Sequence, residues 1–177
     1  MASSIAMIAP LEQVFNQRLG QSATAFGIAF SALLFSRLAT QIPLGHLSDR
    51  RGRKRLIVGG LLAMAIAMAP MGLVRTTWQL VGLRIVQGVT TAAVAAPSFA
   101  LAGDLARAGG EGRQMSIVTM GFGLGIAVGT FAAGLLAVVS LALPFLIAAV
   151  ATLLAAWTVH RNVPETVVRS IAEGAQA

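Results

Sequence analysis

The chain contains no cysteine, which excludes a disulfide framework and any thiolate metal site. Acidic residues are scarce, six Asp and Glu in 177 residues, and there are two histidines. That supply is too thin for a metal centre or a general acid–base cluster. No catalytic residue, metal or cofactor is therefore expected, and the chain does not read as an enzyme. Charge of either sign is sparse: 11% of residues are charged, against about 25% in an average soluble domain. The N-terminus has no basic segment followed by an obvious cleavage site, so a signal peptide is not expected. A phosphate-binding loop is missing too. Gly121, Gly123 and Gly125 have suggestive spacing, but they lie inside an apolar run with no strand before it.

What fills the chain instead is apolar sequence, 56% of all residues. A water-soluble fold of this length could not hide that much apolar surface, so a membrane protein is the default reading. Crossing the hydrocarbon core takes roughly 20 apolar residues. Five stretches reach or approach that length, at 23–47, 56–75, 77–102, 114–138 and 141–160. Pro144 falls near the first turn of the last one, where a missing N–H is harmless. A sixth stretch, from Ser3 to Phe15, is apolar only to Pro10 and then meets Glu12, Gln13, Asn16, Gln17 and Arg18. It predicts a shortened first helix, which either starts inside the membrane or belongs to a longer protein. The expected architecture is an all-α polytopic membrane protein, with one helical bundle over residues 1–163 and a cytoplasmic tail over 164–177.

The net charge of +7 does not point to nucleic acid. The basic residues sit between apolar spans, where they control topology. Five of the thirteen Lys and Arg fall within residues 50–55, between two membrane-length runs. Short basic loops stay in the cytoplasm. With that loop inside, Arg107, Arg113, Arg161 and Arg169 are inside too. The split is then nine basic residues inside, against Arg18 and Arg75 outside. The bacterial inner membrane is the expected location.

Arg37 and Arg84 lie within spans, where a charge is expensive and usually faces protein or a water-filled cavity. Arg37 precedes Asp49 by twelve residues, about 18 Å of helix, which places it near the bilayer midplane. Either arginine could contact substrate or couple protons, or could simply bond neighbouring polar groups. Gln87 shares the face of Arg84, and Gln41 that of Arg37. Gly88, Ala92 and Ala96 repeat every four residues, as do Gly121, Gly125 and Gly129. Such small-residue stripes let helices approach closely in lipid. His46 is expected at the interface, and Glu12 near the outer surface. Asp49 is expected at the end of its helix, where a negative charge is unfavourable. It should therefore pair with Arg50 or Arg53, or with another helix in one conformation only.

Four segments resemble one family. Gly45-His46-Leu47-Ser48-Asp49-Arg50-Arg51-Gly52-Arg53-Lys54 is similar to the signature between the second and third helices of the major facilitator superfamily. Arg84-Ile85-Val86-Gln87-Gly88 resembles its fourth-helix signature. The run from Gly125 to Gly134 resembles the fifth-helix signature of drug:proton antiporters, and Pro164-Glu165-Thr166 the motif after the sixth helix. The resemblance covers essentially the whole chain, as the N-terminal six-helix half. Thr130 stands where that signature usually has proline and Ala133 where it has glycine. The missing proline shifts weight toward uniporters and symporters.

The resemblance implies alternating access of two six-helix halves about a central site. It implies a conformational latch at Gly45, Asp49, Arg50, Gly52 and Arg53, with Asp49 facing the other half. Arg84, with Gln87, Gly88 and Arg37, would serve substrate or proton coupling, and Gly125, Gly129 and Gly134 a helix interface, with Gly121 added by its spacing. Implied partners are the bilayer, protons, a small-molecule substrate and a second six-helix half. That half could be a separate chain, a missing C-terminal half or a second copy. The expected function is proton-coupled efflux of small organic compounds. The alternatives are a metabolite or sugar symporter or uniporter half, and a truncated, non-transporting membrane protein.

Overall fold

The computed structural model of the chain describes residues 2–106 and 110–165. The N-terminal stretch is helical but broken. α1 (Ala2–Ala6) leads into a 3-10 turn at Ala9–Leu11, and α2 (Glu12–Leu19) follows. Pro10 lies in the turn, where it has no N–H to continue a helix. The shortened first helix is thus two short helices in series. Gly20 closes α2 with φ of 60°, the left-handed conformation that glycine adopts without a Cβ penalty. Ser22 then caps α3, its hydroxyl accepting from the Ala25 N–H at 3.3 Å.

Five longer helices follow: α3 (Ala23–Arg51), α4 (Arg53–Met68), α5 (Thr77–Asp104), α6 (Glu111–Ala137) and α7 (Ala142–Asn162). With a 3-10 extension of α4 at Met71–Leu73, these give five segments long and apolar enough to cross a bilayer. The largest departure from expectation is at the basic segment. α3 does not stop near Leu47 but runs through Arg51, and α4 starts at Arg53. The connection is one residue, Gly52, with φ of 103°. Asp49 therefore lies inside the last turn rather than at the helix end. Arg50 and Arg51 can extend α3 because cations are favourable at a helix C-terminus. Residues 166–177 of the expected tail lie outside the described residues, as do Arg107 and Arg169.

The packing has an internal symmetry. α3 lies along α5 and α1 along α6; α4 packs on α5, α1 touches α7, and α4 and α7 pack on each other. Exchanging the first three spanning elements for the last three reproduces this pattern, as expected for nested 3+3 repeats. Near the first helix the core is built from Phe15, Met64, Met68, Leu80 and Phe145. The Phe15 and Phe145 rings meet edge-on, with centroids 6.0 Å apart. A second cluster, Ile57, Leu61, Val94, Leu101 and Ala156, lies toward the basic end.

Candidate functional site

Gly52 organises the basic end. Its positive φ admits few side chains, and a Cβ there would lie 2.5 Å from Glu165 Oε2. The missing side chain makes room for that carboxylate. Glu165 Oε1 accepts a hydrogen bond from the Arg53 backbone N–H at 2.8 Å, across 112 residues. The Arg53 guanidinium reaches the other way. Nη2 pairs with Asp49 of α3 at 3.5 Å, and Nη1 pairs closely with Asp104 at the end of α5. One residue thus joins the ends of α3 and α5 to the segment after α7. Its own side chain is 17% exposed, whereas that of Asp49 is 57% exposed. An ion pair that open to solvent stabilises by less than ~1 kcal/mol, so Asp49 is weakly held here.

Of the expected latch residues, Asp49, Gly52 and Arg53 therefore come together. The local partner of Asp49 is Arg53, and among the described residues no ion pair links it to Arg50, which is exposed. Gly45 has open space where a Cβ would go, so nothing among the described residues requires glycine there. Asp104 was not foreseen as a partner; its position as the acid closing α5 was the available signal.

Arg84 sits deeper, on α5, and is 1% exposed. Its Nη1 donates to Gln87 Oε1 at 2.6 Å, one turn along the same face. Its Cζ lies 5.5 Å from the centroid of the Phe30 ring on α3, a cation–π contact. Nη2 is buried without a hydrogen-bond partner among the described residues. Gln87 also donates to Met68 Sδ of α4 at 4.0 Å, and its carbonyl accepts from Thr90 and Thr91. Gly88 brings α5 hard against α3: a Cβ there would collide with Ser36 Oγ and the Leu33 carbonyl and come within 3.0 Å of the Arg37 N. Gly88 therefore acts here in packing, through the backbone, and places Arg37 beside α5. Arg37 and Gln41 are half-buried. The stripe continues at Ala92, fully buried, and Ala96, half-buried.

The four glycines of α6 divide. Gly129 is buried and Gly125 half-buried, with Ala133 buried one turn further. Gly121 and Gly134 are exposed, with nothing within 4 Å of a Cβ. The stripe that meets this bundle is 125–129–133. Gly134 falls on a different face, because five residues advance a helix by 140° beyond a full turn.

At the opposite end, Arg18 Nη1 donates to the Gly72 carbonyl at 2.8 Å, and Thr77 Oγ1 to Gln21 Oε1 at 2.6 Å. The first bond fastens α2 to the α4–α5 connection, and the second fastens the link between α2 and α3 to the start of α5. His46 is exposed near the basic end and Glu12 half-buried in α2. A contact not foreseen from the sequence is Arg161 over the Trp157 ring at 5.0 Å.

The chain is similar to known proteins in sequence and in overall fold. The model of the Major Facilitator Superfamily matches residues 1–176. The inner membrane transport protein YajR of Escherichia coli K12 is 35% identical over 123 residues, 69% of this chain and 27% of the relative. A class C tetracycline resistance protein of Escherichia coli is 34% identical over 128 residues, 72% of this chain and 32% of the relative. The multidrug resistance protein MdtG of Dickeya zeae is 38% identical over 93 residues, 49% of this chain and 22% of the relative. The chain thus spans about a third or less of the length of these relatives. A crystal structure of a bacterial homologue of the human lysosomal transporter Spinster, inward-facing and occupied, superposes with a TM-score of 0.76 at 16% identity. It covers 93% of this chain and 42% of that one. With its helical half-bundle and these relatives, the chain is an integral membrane protein that belongs to the Major Facilitator Superfamily.

Proposed function

We propose that the chain is the N-terminal half of a secondary active transporter that exports small organic compounds in exchange for protons. The observation that carries this is the junction at Arg53. It draws together Asp49, Asp104 and Glu165 while leaving the Asp49 carboxylate largely open. An acid held this lightly can exchange its local partner for one on a second half, and such an exchange lets two halves rock between states. The second half is supplied by the rest of a longer chain, a separate chain or a second copy. The basic end faces the cytoplasm, as the charge asymmetry favours, with the bundle in a bacterial inner membrane. Arg84, desolvated and held by Gln87 and Phe30, is the residue placed to sense a proton or a charged solute.

The relatives named for tetracycline and multidrug resistance support efflux. One feature favours facilitated diffusion or symport instead: α6 runs unbroken through Thr130, with no proline to bend it. The test is flux through the chain and its second half in proteoliposomes, with cationic, neutral and anionic compounds under an imposed pH gradient. Gradient-driven flux that Arg84→Ala uncouples is expected. Flux indifferent to the gradient would replace antiport by facilitated diffusion.

A further inference from the structure

The six acids of the chain are Glu12, Asp49, Asp104, Glu111, Glu165 and Glu173. Asp49, Asp104 and Glu111 occur only in the end turns of α3, α5 and α6, whereas Arg37 and Arg84 both lie well inside their helices. Arg84 is enclosed: Gln87 takes one edge and Phe30 covers one face. Arg37 is different. It is half-buried at mid-depth on α3, and among the described residues its guanidinium has neither a hydrogen bond nor an ion pair. Glu12, on α2, forms no ion pair among the described residues either. A charge at that depth must be met by water, by a carboxylate from elsewhere or by a ligand. Phe30, Arg37 and Gln41, spaced seven and four residues apart, share one side of α3. Beside them Leu34 and Leu38 are 42% and 65% exposed. The surface therefore offers a forked cation and an amide within an apolar wall.

We propose that Arg37, aided by Gln41, binds the transported solute, and that this solute is an organic anion: a carboxylate on an apolar body. A guanidinium matches a carboxylate with two parallel hydrogen bonds. The positive charge of Arg84 on the neighbouring helix, with the acids of this chain's long helices confined to their end turns, further favours an anion over a cation. This inference rests on the transport reading and names its substrate class.

The test uses the chain assembled with its second half in detergent, at constant ionic strength. Three aromatic probes are compared by the shift each causes in the thermal unfolding midpoint: benzoate, its neutral isostere benzamide, and the larger tetraphenylphosphonium cation. Benzoate is expected to raise the midpoint and benzamide to leave it unchanged. Arg37→Gln is expected to weaken the benzoate effect roughly tenfold or more, and Arg37→Lys to retain part of it. Because Arg37 makes no side-chain bond to the described residues, neither variant should unfold the bundle. Protection by tetraphenylphosphonium that Glu12→Gln removes, or benzoate protection unchanged in Arg37→Gln, would overturn the proposal. So would the absence of benzoate protection in the assembled protein, the outcome expected where a carboxylate of the second half occupies Arg37. Proton-driven flux of cations without benzoate protection leaves the transport reading standing and the anion site refuted. Arg37-dependent protection with no flux of any compound does the reverse.

Discussion

In an apolar eighteen-residue stretch of α5, 61% of the residues are buried within the chain; in the corresponding stretch of α6, 11% are. The two helices are nearly equal in length, 28 and 27 residues, and both could cross a bilayer. They differ in what their small and polar residues meet. On α5, Arg84, Gln87, Gly88, Thr91 and Ala92 are all buried against neighbouring helices of the same chain. On α6 the buried positions are essentially Gly129 and Ala133, while Leu124, Val128, Phe131 and Leu135 are exposed by about two thirds. Hydropathy reports that a helix sits in lipid. It does not report which helices a single chain can cover by itself, because lipid and protein are equally apolar surroundings.

The strongest way to break this contrast is Gly88→Leu. Its side chain has to enter the backbone of α3, so a loss of about 3 kcal/mol or more is expected. It would be read as loss of monodisperse, folded protein by size exclusion and circular dichroism. A normal unfolding profile would mean that α5 is not the hub it is taken to be. Next is Gly52→Ala, which combines a positive φ with a collision at Glu165; about 1–3 kcal/mol is expected. The double variant with Glu165→Ala should lose less than the sum of the two, in a thermal-melt cycle. Asp49→Asn should lower stability of the chain by less than ~1 kcal/mol, yet slow flux once a second half is present. Equal stability losses with and without that half would remove Asp49 from any exchange of partners. Smallest is Gly134→Ala on α6. Within the chain alone it should cost nothing and gain at most about 1 kcal/mol, the advantage of alanine over glycine in a helix, since among the described residues nothing lies within 4 Å of a Cβ there. A larger effect would show that the bare face of α6 is not bare.

Much of this was legible in the sequence because lipid imposes simple rules. The five long spans follow from length and hydropathy, and their ends are right to within a few residues. The pairing of Arg84 with Gln87 follows from three-residue spacing on a helix, and the tight contact at Gly88 from the small-residue rule. The basic segment misled, because a run of arginines flanked by glycines reads as a loop. Yet α3 tolerates cations in its last turn, and Gly52 alone reverses the chain. Asp104 was hidden because its partner lies on another helix, a tertiary relation that no local spacing reports. The α6 glycines were placed as one interface, whereas the helical period separates Gly134 from Gly125 and Gly129.

The hydrogen bond between Glu165 and the Arg53 amide also sets a clock. Its two residues lie 112 positions apart, and synthesis at 5–20 residues per second separates their emergence by roughly 6 to 20 s. During that interval the α3–α4 hairpin is in place without this fastening, and the Arg53 backbone amide waits for a partner not yet made. The bundle is therefore closed from its far end, by one of the last residues of the bundle to emerge. Stalled nascent chains ending before Glu165 should leave the Arg53 amide exchanging hydrogen freely, and chains extended past it should protect that amide.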